Sequence, residues 1–233
     1  YVEYYDTTDT QWWEIDYEAL CTTNDPNYPI TNLAYYKMSD ASDSGEGSGY
    51  IGQGGIFNGS SSEINTTYTI PAISTYSLSL WLKTSITGTR QYLFADFNSG
   101  GASVTARLSL GFTTANNFEL QLGNGSSYWS DDTISASSLL DGNWHNLILV
   151  INGTSVKIYA DGNTTPIANL TSTVSAGTAG TNELILGTAG SVGSLYFNGI
   201  LDQVRIFPTA LSSSNVSLLY AETSATSSTL DYP

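Results

Sequence analysis

From residue 33 onward the chain is a succession of short alternating segments, each closed by glycine, asparagine, aspartate or serine. Side chains that repeat every second residue face one side of a strand, and clusters of small polar residues turn the chain. In "SLSLWLKTS", Leu78, Leu80 and Leu82 alternate with Ser77, Ser79 and Trp81, so one face carries the leucines. "QYLFADF", "ARLSLGF", "NFELQLGN", "NLILVING", "SVKIYADG", "ELILGTA" and "LDQVRIF" follow at short spacing. In "VINGTSVKIYADGN" the Asn152-Gly153 and Asp161-Gly162 pairs supply the positive φ angles of tight turns, which predicts two consecutive hairpins. Helical periodicity is confined to "TALSSSNVSLLYAE", where Leu211, Val216, Leu219 and Tyr220 fit one or two turns and Ser212 stands as N-cap. Many short strands with one short C-terminal helix predict an all-β, antiparallel sandwich or barrel.

Composition narrows the classes of function. The chain has 21 acidic residues against 6 lysines and arginines, a net charge of -15. Nucleic acids and anionic membrane surfaces need a basic footprint, so both are excluded as partners. No stretch is long and apolar enough to insert into a membrane. A single cysteine, Cys21, rules out an internal disulfide framework and reads as a small buried or linker residue. Residues 1–30 are acidic and aromatic with few aliphatics. Their Trp12-Trp13 pair, with Tyr4 and Tyr5, is too aromatic for a free linker and predicts an assembly interface with a preceding domain or another subunit. Residues 223–233 are Ser/Thr-rich and read as a linker. Their closing "LDYP" echoes the "PNYP" that precedes the first strand, which suggests entry into a further copy of residues 31–222.

Catalysis finds little support in the residues. A retaining glycosidase needs two carboxylates about 5 Å apart, hence at alternating positions of one strand. Glu119, Glu183 and Asp202 each stand alone in their strands, and the adjacent Asp131 and Asp132 would face opposite sides. His145 is the only histidine, and no Gly-x-Ser-x-Gly elbow accompanies it, so it reads as a structural residue at a strand start. One histidine and one cysteine cannot complete a zinc site. Calcium is the metal that the sequence accommodates: "SDASDSG" brings Asp40 and Asp43 together in a polar loop. For a saccharide, an exposed ring flanked by hydrogen-bonding side chains is required. "GNGSSYWSDDT" offers this with Asn124, Tyr128, Trp129, Asp131 and Asp132, and "ADFNSGGAS" offers Asp96 and Asn98.

Four segments resemble the laminin-G-like family in its concanavalin A-like jelly-roll form. They are "LAYYKMSDASDSGEGSG", "GGIFNGSSSEI", "LSLWLKTS" followed by "DGNWHNLILVINGTSVKIYADG", and "FNGILDQVRIFPTALSSSNVSLLY". The resemblance spans residues 31–222 and implies a jelly-roll β-sandwich. It also implies a strand beginning at Trp144-His145, and an acidic position, Asp202, that either joins a structural calcium site or pairs with Arg205. Members include lectins, adhesins and spacers. The resemblance therefore implies a non-enzymatic adhesion module at a virion or cell surface, set in a larger multi-domain or oligomeric assembly. Its expected partners are cell-surface glycans or other virion or surface subunits. A ligand-free spacer or capsid-decorating module is the second reading, and a glycan-degrading enzyme a distant third.

Overall fold

The computed structural model describes residues 2–5, 12–15, 34–36, 46–70, 72–96, 108–176, 183–189 and 195–222. Its strands assemble into two antiparallel sheets packed face to face, with a separate hairpin of β1 (Val2–Tyr5) and β2 (Trp12–Ile15). The six-stranded sheet runs β11 (Tyr128–Asp131), β10 (Phe118–Gly123), β9 (Leu108–Phe112), β8 (Gln91–Ala95), β15 (Glu183–Leu186), β6 (Ile64–Thr69). The second sheet runs β14 (Ala168–Thr171), β13 (Ser155–Ala160), β12 (Trp144–Asn152), β7 (Thr75–Lys83), β16 (Asn198–Phe207), β5 (Gln53–Asn58), β4 (Glu46–Ser48), and β3 (Ala34–Tyr36) also pairs with β16. Between the sheets lie the leucine face of β7, Leu147, Leu149 and Ile151 of β12, and Leu108, Leu110, Phe118, Leu120 and Leu122 of β9 and β10. Alternation in the sequence therefore becomes one continuous core, the sheet-on-sheet arrangement of a β-sandwich.

The serine face of β7 is also buried, which alternation alone did not disclose. Helix α1 (Ser213–Tyr220) lies over it, closing a second cluster of Ile148, Val150, Tyr159, Phe207, Leu211, Val216 and Leu219. Ser77 docks the approach to this helix: its hydroxyl donates to the Thr209 carbonyl at 2.8 Å and accepts from the Leu211 N–H at 3.0 Å. Ser212 caps the helix as the sequence predicts, accepting from Asn215 N–H while the Asn215 side chain accepts from Ser212 N–H. The turns need adjustment. Asn152 is the last residue of β12 and Gly153 alone of that pair takes a positive φ, 61°. Asp161 and Gly162 both have positive φ, 51° and 68°, but they open a longer connection to β14 rather than a two-residue hairpin loop.

Strand β16 changes partners midway. Its first half pairs with β5 and its second with β3, and a bulge with Gln203 at φ 51° lies between. The extra residue at a bulge disrupts the ladder locally. Here the Asp202 carboxylate braces it, accepting from Gln203 N–H at 2.7 Å and Ile51 N–H at 2.9 Å.

Candidate saccharide-binding face

The outer face of the six-stranded sheet is built from every second residue of its strands. Register places Gln121 beside Ser130 of β11 on one side and Ser109 of β9 on the other, with Tyr128 opposite Gly123 two pairs further along. Tyr128 is 47% exposed, Ser130 is exposed and Gln121 half-buried, while Ser109 is fully buried. Among the described residues neither Gln121 Oε1 nor Ser109 Oγ has a hydrogen-bond partner. Buried polar atoms are normally satisfied, so these two adjacent enclosed oxygens stand out on this face.

One row away, Tyr92, Gly111 and Glu119 lie side by side across β8, β9 and β10. A Cβ at position 111 would stand 2.2 Å from the Gln91 carbonyl and 3.0 Å from the Tyr92 ring. Glycine therefore lets the tyrosine lean across β9 and donate its hydroxyl proton to Glu119 Oε1 at 2.7 Å. Arg90 completes the group, donating from Nε to Glu119 Oε2 at 2.6 Å, from Nη2 to Glu119 Oε1, and from Nη2 to the Tyr92 hydroxyl at 3.1 Å. The hydrogen bonds that Glu119 accepts hold Arg90 protonated more firmly than usual. Burial, reinforced by Glu119, pushes the Tyr92 hydroxyl upward, so it stays protonated as a donor.

The structure sorts the residues predicted for binding. Tyr128 presents its ring outward, but Trp129, its neighbour on β11, shares the face of Leu122 and packs against the core. Asn124 organises the β10–β11 turn, its Oδ1 accepting from Ser126 and Ser127 N–H at 3.0 and 2.9 Å. Asp131 accepts from Thr133 N–H and hydroxyl, both at 3.0 Å. Asp132 is exposed. Asp96 is fully buried and accepts from Leu108 N–H at 3.0 Å, joining β8 to β9. Asn98 lies outside the described residues, as do the calcium candidates Asp40 and Asp43. Of Trp12, Trp13, Tyr4 and Tyr5 only the backbone register is described: Tyr4 opposite Trp13 and Tyr5 opposite Trp12. Gln121, Ser109, Ser130, Arg90 and Glu119 were missed, because nothing in a strand's sequence tells a solvent-facing polar residue from one on a binding face.

Asp202 does not fit a cation. N–H groups of Ile51 and Gln203 and the Gln203 side-chain amide converge on its carboxylate, so the local donors are those that an anion attracts. Burial raises it to about 6, the backbone donors opposing that shift. Arg205 makes its buried ion pair with Glu222, with Nη1–Oε2 at 2.5 Å and Nη2–Oε1 at 2.9 Å. The pairing expected between Asp202 and Arg205 is thus replaced by one that ties β16 to the segment just after α1. Among the described residues no three His, Cys, Asp or Glu converge as a metal site.

His145 lies at the start of β12 as expected, but it has partners that its sequence context did not reveal. Nδ1 is 2.8 Å from Asp161 Oδ2 and Nε2 is 3.0 Å from Asp141 Oδ1. A neutral imidazole carries one N–H, so two carboxylates on its two nitrogens select the imidazolium. Burial opposes the charge, but the hydrogen bonds and charges of both aspartates outweigh it and raise the histidine. The His145 hydrogen bond, followed by those from Asn143, lowers Asp141 to about 2. Asp161 also accepts from Asn146 N–H at 3.0 Å. The cluster fastens the loop before β12 to the turn after β13.

Solved structures place this architecture. Domain 4 of an extracellular arabinanase from Geobacillus stearothermophilus, in complex with arabinotriose, superposes with a TM-score of 0.57 at 22% identity, covering 82% of this chain and 89% of that one. The binding domain of Paraclostridial Mosquitocidal Protein 1 gives 0.58 at 15% identity over 80% of this chain, which spans only 47% of that chain. The CBM40 of a Ruminococcus gnavus sialidase, bound to α2,3-sialyllactose, gives 0.53 at 18% identity, with coverages of 69% and 94%. At these identities the likeness establishes the fold alone. No curated protein sequence matches the chain. The family model described as the concanavalin A-like lectin/glucanases superfamily matches residues 58–217. Together with the two packed antiparallel sheets, that match makes this chain a laminin-G-like member of the concanavalin A-like superfamily.

Proposed function

We propose that the chain is a non-enzymatic binding module that recognises cell-surface glycans through the outer face of the six-stranded sheet. One observation carries the reading: an exposed ring, Tyr128, shares this face with the exposed Ser130 hydroxyl and the half-buried Gln121 amide. Apolar faces of sugar rings stack on such aromatics, and sugar hydroxyls hydrogen-bond to such polar groups. The structural relatives support it in kind, since two were solved with an oligosaccharide bound. The setting that belongs to this reading is a bacterial surface protein or a phage virion, the module being one part of a larger assembly. A structural calcium ion at Asp40 and Asp43 is a separate part of the proposal. A chelator that lowers the melting temperature would support it, and an unchanged midpoint would remove it.

Glycan-array binding followed by calorimetry on the strongest hit tests the reading. Tyr128→Ala and Gln121→Ala should each weaken that hit by about tenfold, the worth of one aromatic or hydrogen-bonding contact. Full affinity in both variants would move the site off this face. A chain that binds no glycan, with or without calcium, would instead favour a ligand-free spacer.

A further inference from the structure

The charge pattern narrows which saccharides this face accepts, resting on the reading just given. Among the described residues, the lysine or arginine placed at the six-stranded sheet is Arg90; Lys83, Lys157 and Arg205 belong to β7, β13 and β16 of the other sheet. Lys37 and Arg107 lie outside the described residues. Arg90 is nearly half exposed, with 45% of its side-chain surface open, so a ligand could reach it. Its side-on edge and its charge are nevertheless engaged: Nε and Nη2 both donate to Glu119, and Nη2 also meets the Tyr92 hydroxyl. That side-on edge is one of the two through which a guanidinium grips a carboxylate, sulfate or phosphate, and the Glu119 carboxylate already balances the Arg90 charge. The Glu119 side chain is only 11% exposed, and Gly111 lets Tyr92 hold it from the opposite side, so the pair is locked. Near the ring, Gln121, Ser130 and Tyr128 are uncharged hydrogen-bonding side chains, and further along the same face the exposed charged group of β15 is the acidic Glu183. An anionic sugar would also approach a chain with a net charge of -15.

We infer that the face selects uncharged, hydroxyl-rich saccharides over sialylated, sulfated or uronic-acid-bearing ones, and that Glu119 sets this selectivity by occupying Arg90. Like charges brought together at an interface are strongly disfavoured, and among the described residues of this sheet the one cation, Arg90, is already paired. Glu119 is thus a specificity-determining residue rather than a contact needed for stacking.

The probe is a printed panel of neutral oligosaccharides alongside the sialylated, sulfated and uronic-acid counterparts of the same cores, read at low and moderate salt. The expected result is binding to neutral members with charged counterparts at least about tenfold weaker, a gap that narrows as salt screens the repulsion. Charged counterparts bound equally well or better would overturn the inference while leaving the glycan reading in place. Silence across the whole panel would overturn both. Glu119→Gln should raise the charged-to-neutral binding ratio, because it releases the Arg90 fork, whereas Arg90→Gln should not raise it. Equal ratios in the two variants would contradict the assigned role. The wild-type comparison decides the selectivity claim even if a variant fails to fold.

Discussion

Glu222→Gln tests how firmly the C-terminal helix is clasped to the sandwich. Arg205 and Glu222 are 5% and 6% exposed at their side chains and meet through two parallel hydrogen bonds of 2.5 and 2.9 Å. Gln203 Oε1 accepts a further bond from Arg205 Nη2 at 2.9 Å. The guanidinium emerges from the middle of β16, whose neighbour here is Ser79 of β7, so the backbone cannot carry it to water. Removing the carboxylate charge therefore leaves a buried cation without the Glu222 charge that its two parallel bonds engage. Breaking one side of a buried pair costs about 3–5 kcal/mol. Arg205→Met leaves the buried carboxylate unpaired instead, and about 3–5 kcal/mol is expected from the same principle. Replacing both by methionine removes the desolvation cost of two charges, and the double variant should be less destabilised than the sum of the singles by at least about 1 kcal/mol. Urea denaturation followed by tryptophan fluorescence measures all three, with α1 amide exchange as a local readout. If Glu222→Gln costs under about 1 kcal/mol, or the two changes add, the clasp behaves as an exposed ion pair and the reasoning fails.

Three further outcomes follow from the same structure. His145 is raised above its usual value, so its contribution is complete below about pH 6.5 and lost as pH rises through the folded value. An NMR titration of this single histidine should show a raised midpoint that Asp161→Asn lowers, and an unshifted midpoint would dismiss the double ion pair. Asp202, at about 6, is more costly to fold when charged, so stability should increase as pH falls from about 7 toward 4. Asp141, held at about 2, acts oppositely and only below its ordinary range, so the melting temperature should peak between about pH 4 and 6; a monotonic decline from pH 7 would count against the Asp202 assignment, and a melting temperature still rising below about pH 4 against that of Asp141. Gly187→Ala should destabilise by at least about 2 kcal/mol, because its φ is 82° and the new Cβ would lie 2.1 Å from Phe57 Cδ1, and a neutral result in thermal melts would refute that packing.

Local pattern by itself determined the scaffold. Period-two alternation of Leu78, Leu80 and Leu82, the glycine turns, and Ser212 ahead of Val216 and Leu219 specify strands, turns and a capped helix, since each depends on neighbours in the chain. Tertiary structure decided everything that depends on which strands lie side by side. It buried the serine face of β7 under α1 and turned Trp129 inward while Tyr128 stayed out. It gave Arg205 to Glu222, seventeen residues away, rather than to Asp202. The face itself joins Arg90 to Glu119 across 29 positions and sets Gln121 beside both Ser109 and Ser130. Sheet register alone makes those contacts, and a strand's own sequence carries no record of its partner's.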